Sequence, residues 1–299
     1  MSEETTYRDR SISSFQQKVR DYALLVKFRL SLTVVMSAVL GYAIAATGSI
    51  GGWSMVLLGL GGFLVTGAAN AANEILEYRF DAIMNRTKDR PIAAGRMSRL
   101  EALVFTVIAL GAGTYILATW FNALAAVIGL ISFASYAFLY TPLKRLTPFS
   151  VLVGAFPGAL PPTIGVVAAT GYFSIEACLL FSLQFFWQFP HFWAIAWLGA
   201  EDYKRAGYKM TIRSKGPDLL MAFYVLIYTL MLIPLGTLPT FYGMATQGAL
   251  VVNTLLGIGF AVPAIELLRK PGRKAAKHVM FASFLYLPLL LTSLLIFKA

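Results

Sequence analysis

Residues 53–90 read WSMVLLGLGGFLVTGAANAANEILEYRFDAIMNRTKDR, an apolar run that passes directly into acid and then into base. Its first part, near 53–76, is long enough to cross a bilayer core, which takes about 20 apolar residues in a helix. Positions four apart on a helix share one face and drift by about 40° per step. Asn73, Glu77 and Asp81 therefore form one oxygen-bearing stripe over two turns at the end of the run. Ionisable groups at a membrane edge are costly to keep, so the stripe reads as a functional site. Glu74 falls off it and reads as solvated.

Eight further apolar runs lie near 24–46, 100–119, 122–140, 149–169, 174–198, 218–238, 245–267 and 279–297. They predict an all-α integral membrane protein with nine transmembrane helices: a cytoplasmic arm over 1–23 and one domain over 24–299. Pro157, Pro161, Pro162, Pro190, Pro234 and Pro263 fall inside the runs. Membrane helices tolerate them where neighbours satisfy the freed backbone groups. Composition agrees, since 58% of the 299 residues are hydrophobic and only 13% are charged. A soluble domain carries about 25% charge. Lipid here replaces the polar surface a soluble protein would need.

A net charge of +11 on a soluble chain would suggest nucleic acid as a partner. Here 24 of the 25 lysines and arginines fall in the N-terminal stretch up to Arg29 or in alternate gaps between the runs, and the gaps near 47–52, 120–121, 170–173 and 239–244 carry none. The positive-inside rule then places the N-terminus in the cytoplasm and the C-terminus outside, with no role for nucleic acid. The opening MSEETTYRDR lacks the apolar core of a signal peptide, and its Glu3 and Glu4 do not suit a mitochondrial presequence. A bacterial cell (inner) membrane is the expected location. Cys178, the single cysteine, excludes an internal disulfide and reads as packing.

Acid followed closely by base suits a metal–diphosphate site. Magnesium takes carboxylate oxygens and shares them with phosphate. Arg86, Lys88 and Arg90 would neutralise the phosphate oxygens as a bond to carbon breaks. A second polar group follows the sixth run: His191 in PHFWAIAW, then Glu201, Asp202, Tyr203, Lys204 and Arg205. If it faces the first, the two complete a clamp on a diphosphate. His191 lies about 15 Å deeper than Asp202 by helical rise. It reads either as an acceptor or iron contact, or as a hydrogen-bonded interior histidine. His278 reads as interfacial. Aromatic faces at Phe185, Phe186, Trp187, Phe189, Phe192, Trp193 and Trp197 would suit an allylic cation or a flat macrocycle. Two of them are expected to line a site and the rest to pack.

The Asn73–Glu77–Asp81 spacing resembles the first motif of the UbiA superfamily of intramembrane prenyltransferases. The middle position there is Asp; Glu77 keeps the charge and lengthens the arm. Three stretches resemble, within that superfamily, the branch that farnesylates protohaem IX. They are RTKDRPIAAGRMS (86–98), YTPLKRLTPFSVLVGAFPGALPPTIG (140–165), and HFWAIAW with EDYKRAG (191–207). Phe149 and Ser150 depart from it, standing where that branch often has Asn. The resemblance covers roughly 24–297 and implies a UbiA-type bundle. It further implies magnesium-dependent transfer of farnesyl from farnesyl diphosphate to a vinyl group of haem b, giving haem o for haem-copper terminal oxidases.

In that scheme Asn73, Glu77, Asp81 and Asp202 are catalytic and hold Mg2+. Arg86, Lys88, Arg90 and Lys204 bind the diphosphate, and His191, Lys144 and Arg145 meet the acceptor, the last two at its propionates. Haem b is a substrate, not a resident cofactor. The implied partners are the two substrates, the bilayer, and haem A synthase or terminal-oxidase assembly factors. Two other readings stand beside this one. The same fold acting on a quinone precursor differs only in its acceptor. A secondary transporter would favour broken helices with polar groups at midplane, whereas these acids lie at the membrane edge.

Overall fold

The apolar runs are helices in the computed structural model, which describes residues 14–48, 51–212 and 216–299. Of the N-terminal arm, residues 1–13 lie outside the described residues, as do Arg213 and Lys215 of the later basic gap. The chain begins with α1 (Ser14–Leu25), α2 (Phe28–Ala45), α3 (Gly52–Asp81), α4 (Arg99–Trp120) and α5 (Ala123–Ala134). A π-helical stretch (Ser135–Tyr140) continues α5 into α6 (Thr141–Leu146). Then come α7 (Ser150–Thr170), α8 (Ile175–Leu198), α9 (Ala200–Arg205), α10 (Leu219–Phe241), α11 (Gln247–Arg269) and α12 (Arg273–Ile296).

Eight segments are long and apolar enough to cross a bilayer: α2, α3, α4, α5 through α6, α7, α10, α11 and α12. The protein is therefore a multi-pass membrane protein. The sixth expected span, α8, is 24 residues long but diluted by Gln184, Gln188 and His191, and it packs among α7, α10 and α12. Two boundaries differ from expectation. A helix, α1, begins within the arm and runs past its expected end at residue 23, and the first span begins only at Phe28. Lys27 separates the two in a left-handed conformation (φ 47°, ψ 58°), the one non-glycine residue with positive φ among those described.

Short polar side chains start several helices by accepting otherwise orphaned N–H groups. Ser98 accepts from Glu101, Asn122 from Ala125, Ser174 from Ala177 and Asp218 from Met221. At the opposite end, Lys298 donates to the carbonyls of Ala43 and Ala46, closing the C-terminus of α2. The single basic residue outside the basic gaps thus has a local task, consistent with the helix dipole.

The prolines of α7 require help from neighbours. A helical proline offers no N–H to the carbonyl four residues back. Pro161 leaves the carbonyl of Pro157 free, and Ser132 Oγ donates to it at 3.2 Å. Pro162 does the same to Gly158, whose carbonyl accepts from Gln184 Nε2 at 2.6 Å. Gln184, one of the polar residues that dilute α8, and Ser132 of α5 thus each satisfy one carbonyl that the prolines of α7 leave free.

Glycines then bring backbones together, the usual means of helix association in lipid. A Cβ on Gly165 would fall on the carbonyl oxygen of Ala38, and one on Gly41 would strike the backbone of Pro162. So α2 and α7 touch backbone to backbone. On the other side, a Cβ on Gly113 of α4 would lie 2.8 Å from the carbonyl oxygen of Gly61 in α3. Gly165→Ala must push α2 away from α7 and is expected to lower stability by about 1–3 kcal/mol. Gly111→Ala, whose added carbon meets nothing within 4 Å, is expected to leave it unchanged or slightly raised. Melting temperatures of the two variants in detergent check the contrast.

Candidate active site

The 30 residues of α3 carry it past the apolar run as far as Asp81. Asn70, Asn73, Glu77 and Asp81 recur every three or four positions, Glu74 stands next to Asn73, and all five are buried. Glu74 is only 1% exposed, against the solvated position expected of it. The α1–α2 turn and the loop after Asp81 roof this end of α3, so the neighbouring face is enclosed as well, and Glu74 Oε1 stands 3.6 Å from Arg90 Nε.

Arg90 serves both Glu74 and Asp81, Lys144 serves Glu77, and Lys27 bonds the asparagines beside them. Arg90, in the loop after α3, donates to Asp81 Oδ2 at 2.8 Å. Lys144 of α6 donates to Glu77 Oε2 at 2.6 Å. Lys27 Nζ reaches Asn70 Oδ1 at 3.1 Å and Asn73 Oδ1 at 3.2 Å. Asn73 Nδ2 donates in turn to Glu77 Oε2 and to Thr141 Oγ1, at 2.7 and 3.0 Å. Thr141 Oγ1 also donates to the carbonyl of Tyr136, five residues back. The π-helical stretch therefore sets where Thr141 and Lys144 face α3, in keeping with the frequent use of such bulges at functional sites.

Three carboxylates and three cations make the cluster neutral overall. Burial, with Arg90 nearby, brings the Lys27 ammonium down to about 7. Burial also acts to lower the Arg90 guanidinium, but Asp81 and Glu74 outweigh it and hold its value above normal. The Tyr208 phenol is pushed upward by burial and by the charge of Glu77. Lys144 lies over the Tyr140 and Tyr208 rings at 4.9 and 5.5 Å.

Four buried carboxylate oxygens have no hydrogen-bond partner: both of Glu74, Oε1 of Glu77 and Oδ1 of Asp81. Unpaired acceptors of this kind are destabilising unless something fills them. Magnesium fits, because it takes one or two protein carboxylates and completes its shell with phosphate and water. Among the described residues no three His, Cys, Asp or Glu side chains converge into an all-protein cage.

The second acidic group docks on the loop leaving the first. Asp202 Oδ2 accepts from the Arg86 amide at 3.3 Å, and Oδ1 accepts from Arg205. Arg86 lies over the Tyr203 ring, 5.8 Å from its centroid. One residue on, Thr87 Oγ1 donates to the Asp81 carbonyl at 3.0 Å. Burial raises the Asp202 carboxyl, but the amides of Arg86 and Asn85, with Arg205, outweigh it and hold the group below its usual range. Lys88 and Lys204 are exposed at the rim.

The residues expected at the acceptor scatter. Lys144 is already engaged with Glu77 inside the cluster, so burial and that ion pair remove it from the propionate position. Arg145 is exposed and stacks over Phe80 at 4.0 Å. His191 is buried, bonded through Nδ1 to Ser283 Oγ at 2.8 Å and stacked on Trp187, which ties α8 to α12. Of the aromatic cluster, Phe189 and Trp193 line a recess of about 380 Å3 with Tyr224 and Tyr228. His278 bonds Glu266 at 2.8 Å on the surface.

Lys27, Asn70 and Thr141 escaped the sequence reading. The available signal for two of them was a lone lysine at the head of an apolar run and an asparagine one turn before Asn73. Two cavities adjoin the cluster. One of about 110 Å3 runs from Asn70 and Tyr136 between α2, α3, α5 and α7 and is almost wholly apolar. The other, about 960 Å3, opens between the α1–α2 turn and the loop over 86–96.

Breaking a buried ion pair costs about 3–5 kcal/mol, mostly because one charge is stranded. Lys144→Met is expected to destabilise the protein on that scale, and adding Glu77→Gln to recover much of the loss. A double-mutant cycle on thermal unfolding reads this directly.

The family model described as the UbiA prenyltransferase family matches residues 34–287. A protoheme IX farnesyltransferase of Cytophaga hutchinsonii is 43% identical over 268 residues, covering 90% of this chain and 94% of its own. Among solved structures, one described as digeranylgeranylglyceryl phosphate synthase superposes with a TM-score of 0.77 at 18% identity, over 94% of this chain and 98% of that one. A UbiA homolog from Archaeoglobus fulgidus bound to GPP and Mg2+ gives 0.71 at 15% identity, over 92% and 99%. At such identities these two structures show a shared fold.

Proposed function

The chain belongs to the UbiA prenyltransferase family, and we propose that it transfers a farnesyl group from farnesyl diphosphate to a vinyl group of haem b, giving haem o. The acceptor follows from the similarity to a protoheme IX farnesyltransferase over nine-tenths of the chain. The observation that carries the chemistry is the neutral cluster on α3, with four unpartnered carboxylate oxygens beside an apolar cavity.

Asn73, Glu77 and Asp81, with Glu74 added by its burial, are the groups to hold Mg2+, which when bound neutralises the diphosphate and improves it as a leaving group. The incoming diphosphate competes for Arg90 and Lys144, and so frees the carboxylates these two cations now occupy, while Lys27 turns to it from Asn70 and Asn73. Arg86 and Lys88 add charge at the rim, with Lys204 farther out. Asp202 positions this loop through the Arg86 amide. The C1–O bond of the donor breaks toward an allylic cation, which the rings of Tyr136 and Tyr140 stabilise. The haem vinyl carbon attacks C1, water adds to the resulting cation and loses a proton, and diphosphate departs. The apolar cavity beyond Asn70 suits part of the prenyl tail. The basic gaps support a bacterial cell membrane with the N-terminus in the cytoplasm.

Membranes holding the chain, supplied with haem b, farnesyl diphosphate and magnesium, are expected to yield a more hydrophobic haem together with free diphosphate. Chelating the metal should stop both. Asp81→Ala should cut the rate by about 10²–10³, the scale of losing one preorganised electrostatic contact. Diphosphate released with an aromatic quinone precursor, and no haem product, would keep the family and replace the acceptor. Substrate crossing the membrane with no diphosphate released would point instead to a transporter.

A further inference from the structure

The recess between the α1–α2 turn and the loop over 86–96 holds more positive charge than the α3 cluster uses. Arg20, Lys27, Arg29, Arg86, Arg90 and Arg96 line it, against Glu74 and Asp89. Four of these cations are engaged. Lys27 and Arg90 belong to the cluster, Arg86 lies on Tyr203, and Arg96 pairs with the buried Asp21 at 2.9 Å. Arg20 and Arg29 are exposed and have no ion-pair partner among the described residues. They flank the left-handed break at Lys27, one on each side.

The same recess has an apolar wall. Ala23 and Leu24 of α1 with Phe28 and Leu30 of α2 form it, and Gln17 is the remaining lining residue. The wall is held in place: Asp21 joins α1 to the loop through Arg96, and Lys18 and Tyr22 both bond Glu101 at the head of α4. At its inner end the recess reaches Glu74 and Arg90, where the diphosphate chemistry lies. A ligand for this space needs a flat apolar body and two anionic groups along one edge. Guanidinium forks suit carboxylates, which they bind bidentately.

Resting on the reading of haem as acceptor, we propose that Arg20 and Arg29 bind the two haem propionates. The macrocycle then lies along the α1–α2 wall, with its vinyl edge turned inward to the α3 cluster. Both arginines are positioning residues, since they touch the substrate far from the carbon that reacts. The assignment fills the place that Lys144 leaves by its engagement with Glu77.

The test compares haem b with its dimethyl ester, in which both carboxylate charges are removed. The purified full chain is assayed in vesicles of neutral lipid, as wild type and as Arg20→Gln/Arg29→Gln. Esterification is expected to raise the wild-type KM for the acceptor about tenfold, the scale of losing about 1.4 kcal/mol of charge-assisted bonding. The double variant should show that rise already with free haem and none further with the ester. Its KM for farnesyl diphosphate should stay at the wild-type value.

A variant penalty equal for haem and ester, or a raised KM for farnesyl diphosphate, would overturn the propionate role. So would a penalty that appears only in vesicles of anionic lipid, which would assign the arginines to lipid headgroups. Should the variant fail to fold, the wild-type comparison still decides: equal KM for haem and ester sinks the proposal. A wild type that makes no product from haem at all would strike the acceptor reading instead, so the two failures are distinct.

Discussion

Glu74, Glu77 and Asp81 are held out of water at the end of one helix, and the surrounding structure depends on how that is made tolerable. A buried carboxylate must be paired or it will not stay ionised. No segment near in sequence supplies all the pairs. Arg90 comes from the loop just after α3, Lys144 from α6, and Lys27 from the break between α1 and α2. The cluster therefore fastens three separate parts of the chain to α3. It also leaves four acceptor oxygens unfilled, which makes the resting arrangement provisional.

Such a site needs a scaffold that does not yield. The close approach of α2 to α7 and of α3 to α4 supplies it, because glycine lets the backbones meet. The prolines of α7 are part of the same construction. They forgo three helix bonds, and Ser132 of α5 and Gln184 of α8 make two of them good. That ties α7 to both neighbours through polar contacts, in a medium where apolar surfaces attract one another little. His191 contributes in the same way on the far side, where its bond to Ser283 joins α8 to α12.

The second acidic stretch is joined to the loop that leaves the first. Asp202 is spent on Arg205 and on the Arg86 amide, so it braces the cationic loop. The loop thus has two anchors, Asp81 at its start and Asp202 from α9, and its charges face the recess between them.

Much of this protein was written in the sequence itself. The length and spacing of the apolar runs located the spans to within a few residues, because a bilayer imposes one length on every helix. The alternation of basic gaps followed from the same constraint. Asn73, Glu77 and Asp81 were visible as a stripe because helical periodicity alone aligns them. Only the tertiary structure decided which cation meets which acid, since Lys27, Arg90 and Lys144 lie far apart in the chain. It also decided the burial of Glu74, which depends on what roofs the next face of α3. Periodicity orders residues along one helix; it carries no information about the segment that will pack across from them.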